Sequence, residues 1–134
     1  MKIINTVAKV ILSLILVSPI VGTFGVFPAP TREMYNTDVA FEFMMFMMNH
    51  ASYISYIMAI VFLLALFALW TKREAIAAFL LLPITFNVIG FHLFLDGGLL
   101  NSGSIMAIVL LVLNFYFLLR NKYSIQAMCD QKAL

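Results

Sequence analysis

The chain has 134 residues, of which 64% are hydrophobic and 10% charged, and its mean hydropathy is +1.06. These values exclude an ordinary water-soluble globular domain, because one core of this size cannot hide so many apolar side chains. The net charge of +2 is small and the basic residues are scattered, which argues against nucleic acid as a partner. A single cysteine, Cys129, rules out an intrachain disulfide, a CxxC redox pair and a cysteine metal cluster.

The composition predicts an all-α integral membrane protein, since a helix in hydrocarbon satisfies its own backbone polar groups and crosses a core of ~30 Å in about 20 apolar residues. The first span is expected at about 6–24. Lys2 and Lys9 ahead of Val10 to Val17 imitate a signal peptide. The apolar run nevertheless continues through Pro19 to Val26 without a small-x-small exit, so a retained span is the expectation. After the loop Phe27-Pro28-Ala29-Pro30 comes the apolar stretch 38–51, followed by a second span at 52–70. Taken as one helix, 38–70 would be roughly 50 Å long, too long for one crossing. A separate short outer-side helix over 38–51, broken near Asn49-His50-Ala51-Ser52, is therefore expected. Thr71-Lys72-Arg73-Glu74 and Asp96-Gly97-Gly98 bound a third span at 75–95, and the fourth lies at 104–119. The whole chain, 1–134, then forms one four-helix bundle, with a short polar tail after Asn121.

Cytoplasmic loops retain Lys and Arg. Four crossings with both termini cytoplasmic place Lys2, Lys9, Lys72, Arg73, Arg120, Lys122 and Lys132 inside and only Arg32 outside. Glu33, Asp38, Glu42 and Asp96 gather on the outer side. Trp70 and Tyr123 at one face and Tyr53 and Tyr56 at the other form an aromatic belt. This orientation is that expected of a multi-pass inner-membrane protein.

Polar residues inside spans are expensive and are candidates for either helix packing or function. On the third span Pro83, Asn87 and Gly90 share one face. Gly90 offers close backbone approach, and Asn87 can bond a neighbouring helix, the carbonyl that Pro83 leaves unpaired at Phe79, or a ligand head group. A second stripe joins Thr85, His92 and Asp96. Four residues apart, Asp96 can hold the tautomer of His92, leaving the ring to relay protons, bind a quinone carbonyl, ligate a metal, or simply bond at the wet rim of the bundle. His50 is expected near the same end. Two facing histidines are the minimum for bis-histidine haem, but no further ligand pattern supports haem or metal. Glu42 is read as either a proton-exchanging acid among apolar neighbours or a solvated rim residue. Met44, Met45, Met47 and Met48 scatter around their helix and suit flexible packing or a lipophilic ligand surface. Asn114 lies mid-span on the fourth helix, where an interhelical hydrogen bond to Asn87 is expected, while Lys9 is expected to snorkel to the cytoplasmic surface.

The run from Leu81 through Pro83, Asn87, Gly90 and His92 to Asp96, set between a charged turn and a glycine-containing loop ahead of an Asn-bearing last span, resembles the DoxX-like family of small bacterial membrane proteins. The resemblance covers most of the chain, including the early proline-containing loop and the helix before the second span, and its departures include the Met-rich 38–51 region. It implies a four-helix bundle and an association with membrane redox systems and quinone. It also makes Pro83, Asn87, His92 and Asp96 the best ligand-binding candidates, with Glu42 and His50 beside them and Gly90 and Asn114 in packing roles. With no complete catalytic set in the sequence, the expected function is an accessory subunit docked to other membrane subunits or to its own copies. The alternatives are a quinone- or lipid-binding oxidoreductase component and a small transporter.

Overall fold

The computed structural model describes residues 2–129, and among these every regular element is helical. The order is α1 (Lys2–Thr23), a 3₁₀ turn (Arg32–Met34), α2 (Asp38–His50), α3 (Ser52–Trp70), α4 (Glu74–Gly90) running into a π-helical turn (Phe91–Leu95), α5 (Ile105–Arg120) and α6 (Lys122–Cys129). Lys132 lies outside the described residues.

Three segments are long and apolar enough to cross a membrane: α1, α3, and the continuous run from Glu74 to Leu95. The helix expected at 104–119 is apolar but has 16 residues, roughly 24 Å of rise. In the tail after Asn121, expected to be merely polar, Lys122–Cys129 form the short helix α6.

The buried faces of α3 and α4 are built mostly of alanine, while many of their large apolar side chains face outward. On α3 the buried residues are Ala59, Phe62, Ala65, Ala68 and Leu69, whereas Ile57, Ile60, Leu63, Leu64 and Phe67 are exposed. On α4 the buried face carries Ala75, Ala77, Ala78, Leu81 and Thr85. Alanine faces let α3 and α4 approach closely, the arrangement favoured where dispersion rather than water drives association. Leu12 and Leu16 of α1 and Leu110 and Phe117 of α5 complete the core. α4 is the hub, packed against α3 on one side and α5 on the other, while α1 contacts α3 and α5.

The α3–α4 connection is a tight reversal. The Arg73 N–H donates to the Ala68 carbonyl at 2.9 Å and the Thr71 N–H to Phe67 at 3.0 Å, with Lys72 between them at φ 62°. This is a Schellman-type helix end whose left-handed position normally takes glycine. A side chain there costs about 1–2 kcal/mol. Lys72→Gly should raise the thermal unfolding midpoint in detergent, and a midpoint equal to or below that of the unchanged chain would show that position 72 holds no strain.

Candidate functional site

Polar side chains collect at three levels along α4. At the end opposite the basic residues, the π-helical turn is closed by the Asp96 N–H donating to the Phe91 carbonyl at 3.1 Å. A π turn widens the helix and shifts the angular register of the residues beyond it. Here it sets Asp96 into the bundle end, where it is 2% exposed. One carboxylate oxygen, Oδ2, lies 2.9 Å from His92 Nδ1, and the other accepts the Asn36 backbone N–H at 2.8 Å. Around this pair the Thr37 hydroxyl donates to the Leu95 carbonyl and accepts the Ala40 N–H at 3.1 Å, capping α2. Asn101 donates through Nδ2 to the carbonyls of Asp96 at 3.1 Å and Gly98 at 2.6 Å. Gly97, at φ 82°, reverses the chain next to Asn36 and Thr37, where a Cβ would lie 3.5 Å from the Asn36 Cβ. Asp96 thus joins the loop between α1 and α2, the end of α4 and the loop before α5.

The His92–Asp96 pair expected from the sequence is therefore formed. With the carboxylate as acceptor, Nδ1 carries the hydrogen and Nε2 is the atom left to meet a ligand or water. Tyr35 stacks edge-on against Phe91 at 6.4 Å between ring centroids. Burial, and then the negative charge of Asp96, push its hydroxyl pKa above the ordinary tyrosine value.

The other candidates do not converge there. His50 is exposed and packs on Phe46, ring centroids 5.2 Å apart, and no contact joins it to His92. Glu42 is exposed on α2. Among the described residues no group of three or more His, Cys, Asp or Glu side chains is placed to hold a metal ion. Pro83 and Asn87 are exposed on α4. Gly90 has nothing within 4 Å of where a Cβ would stand, so the close approach expected at Gly90 does not occur within this chain.

At the middle level Asn114, 1% exposed, meets Thr85 rather than the expected Asn87, its amide 2.8 Å from the Thr85 hydroxyl. Turning the amide so that its nitrogen donates to the Ala78 carbonyl at 3.1 Å lets its oxygen accept from Thr85 and from the Leu82 N–H. In that orientation both halves of the buried group are satisfied.

The third level, at the basic end, is one that the sequence pattern did not reveal. Lys9 does not snorkel outward. Its ammonium lies 2.7 Å from Glu74, with side-chain exposures of 12% and 11%. It also donates to the Leu69 carbonyl at 2.9 Å, one of the carbonyls that the end of α3 leaves without a helical partner. Asn5 donates to Glu74 Oε1 at 3.1 Å, leaving its own Oδ1 buried without a partner. Asn121 reaches Glu74 Oε2 at 3.4 Å, and the Trp70 indole donates to Ser13 at 3.0 Å. The available signal was a pair of opposite charges at equal depth in two apolar helices.

The raised Tyr35 pKa gives a direct test. In alkaline titration the phenolate absorbance lost in Tyr35→Phe should report a midpoint above the ordinary value of 10.0, and Asp96→Asn should lower that midpoint. Because the folded pKa is raised, the stabilisation held by the neutral hydroxyl is fully present below the unfolded pKa and is lost as pH rises through the folded one. A Tyr35 midpoint indifferent to Asp96→Asn would contradict the influence of the Asp96 charge.

No protein-family model, curated protein or solved structure matches this chain.

Proposed function

We propose that the chain is a bacterial inner-membrane protein of four crossings, with α5 as the fourth, and that it serves as a non-catalytic subunit that docks laterally onto another membrane helix. The resemblance to the DoxX-like family is consistent with an assembly that handles electrons or quinone. The inverted packing, with alanines inside and Ile, Leu and Phe outside, favours hydrocarbon as the solvent. A helix of roughly 24 Å is short for a core of ~30 Å, a mismatch that modest bilayer thinning absorbs. Placing the basic residues inside puts the Asp96 clasp at the periplasmic rim.

The observation that carries the docking role is Asn87. It stands exposed on α4, beside exposed Phe79 and Phe86, with no hydrogen-bonding partner among the described residues, whereas Asn114 is enclosed and bonded. A side-chain amide facing lipid lacks partners for its two donors and its acceptor, and a neighbouring helix can supply them. Gly90, one turn further, leaves room for that helix to come close.

Extracted in a gentle detergent, the protein should run as a complex heavier than the 15.1 kDa chain, of defined stoichiometry by native mass spectrometry. Asn87→Leu should release the single chain while leaving its helicity unchanged. A protein found alone in gentle detergent, or a complex indifferent to both Asn87→Leu and Gly90→Leu, would overturn the reading.

A further inference from the structure

At the basic end α1 and α5 part around a cavity of about 410 Å³ lined by Ile4, Tyr116, Leu119 and Arg120. Its walls are apolar, and Leu119 and Ile4 are 70% and 63% exposed, so the cavity opens sideways from the bundle. The one charge on its rim is Arg120. That guanidinium approaches Glu74 no closer than 3.7 Å and remains 36% exposed, while Glu74 is already engaged by Lys9 at 2.7 Å. Arg120 therefore keeps most of its donor fork uncommitted. Lys2 and Lys122, two residues along the chain from Ile4 and Arg120, are exposed, as are Lys72 and Arg73 in the α3–α4 turn, and Glu74 is the one acidic residue of this end among the described residues. Apolar walls beneath an under-neutralised guanidinium, at the end of the bundle where the basic residues gather, complement a molecule with a hydrocarbon chain and an anionic head.

We propose that this groove binds one anionic phospholipid, its acyl chain lying along Ile4, Tyr116 and Leu119 and its phosphate on Arg120. The inference rests on the membrane reading above. Arginine suits the head group because its planar fork donates two parallel hydrogen bonds to phosphate oxygens. The lysines of this end add the attraction that basic residues exert on anionic lipid. The lipid would also cover the gap between α1 and α5, which pack against each other less extensively than α4 packs against α3 or α5.

The test is native mass spectrometry of the full chain in detergent, titrated separately with phosphatidylglycerol and phosphatidylcholine. The unchanged protein should retain phosphatidylglycerol in preference to phosphatidylcholine by roughly fivefold. Arg120→Gln should abolish the preference, and Leu119→Trp, which fills the groove from an exposed position, should remove the adduct of either lipid. Because Leu119 lies outside the packed core, that variant keeps the test open should Arg120→Gln fail to fold. Equal retention of the two lipids, an adduct unchanged by Leu119→Trp, or displacement of the lipid by inorganic phosphate would each overturn the proposal. These outcomes leave the membrane reading intact. Recovery of the chain in the soluble fraction of cells would instead remove that reading, and the lipid site with it.

Discussion

The arrangement depends on α4 having a polar anchor at each level of the bundle. Apolar helices packed by dispersion alone slide and rotate at little cost, because one stripe of Leu, Ile and Ala fits nearly as well as the next. Glu74 and Thr85 remove that freedom. Eleven residues apart, they are separated by close to three helical turns and therefore lie on nearly the same face. Glu74 receives Lys9 from α1 and Asn121 from the end of α5, and Thr85 meets Asn114 of α5. Beyond the π-helical turn, Asp96 receives the loop between α1 and α2. Rotation of α4 by a fraction of a turn would strand all three.

Lys9 has a second effect on the same helix. By bonding both the Leu69 carbonyl and the Glu74 carboxylate, it bridges the C-terminal end of α3 and the N-terminal end of α4. Those ends carry partial negative and positive charge respectively. Glu74 in the first turn of α4 complements one, and the Lys9 ammonium against Leu69 complements the other. The strained left-handed backbone at Lys72 is held within this clamp, since the reversal it permits brings the two helix ends to a single side chain.

The apolar helices were legible because composition and length determine them: an uninterrupted run of Ile, Leu, Val, Ala and Phe bounded by Lys72-Arg73-Glu74 admits few other structures. The separation of α2 from α3 was legible from excess length, and the break falls at Ala51. The His92–Asp96 pair followed from a four-residue spacing that survives the π turn. The inward face of α4 was not legible. Pro83, Asn87 and Gly90 make one polar-looking stripe and Thr85 another, and a helix that is apolar almost all round gives no preference between them. The decisive cue was the run Ala75, Ala77, Ala78, Leu81, whose small side chains mark the packed side. The Lys9–Glu74 bond was hidden for a different reason: each charge lies near a span boundary, where a solvated side chain is the ordinary expectation. α6 was missed because Lys122 to Cys129 has no strong apolar run to announce it.

Two asparagines, one enclosed and one exposed, connect structure to function here. Asn114 is consumed in holding the bundle together. Asn87, two residues along the hub helix from Thr85, is exposed and has no hydrogen-bonding partner among the described residues. The anchors at Glu74, Thr85 and Asp96 hold the register of the bundle without drawing on the Asn87 amide. The Asp96 clasp closes the end of the bundle nearest that amide.

The central claim, that paired polar groups on α4 set the helix arrangement, is tested most directly by a double-mutant cycle on Lys9 and Glu74. Lys9→Met and Glu74→Gln, singly and together, would be compared by reversible unfolding in detergent. Each single change leaves a largely buried charge without its partner, a loss of about 3–5 kcal/mol for a fully buried pair. The double variant should be more stable than the sum of the single losses by about 1–3 kcal/mol. Strictly additive losses would contradict the claim, because they would mean that Lys9 and Glu74 contribute to stability without acting on each other.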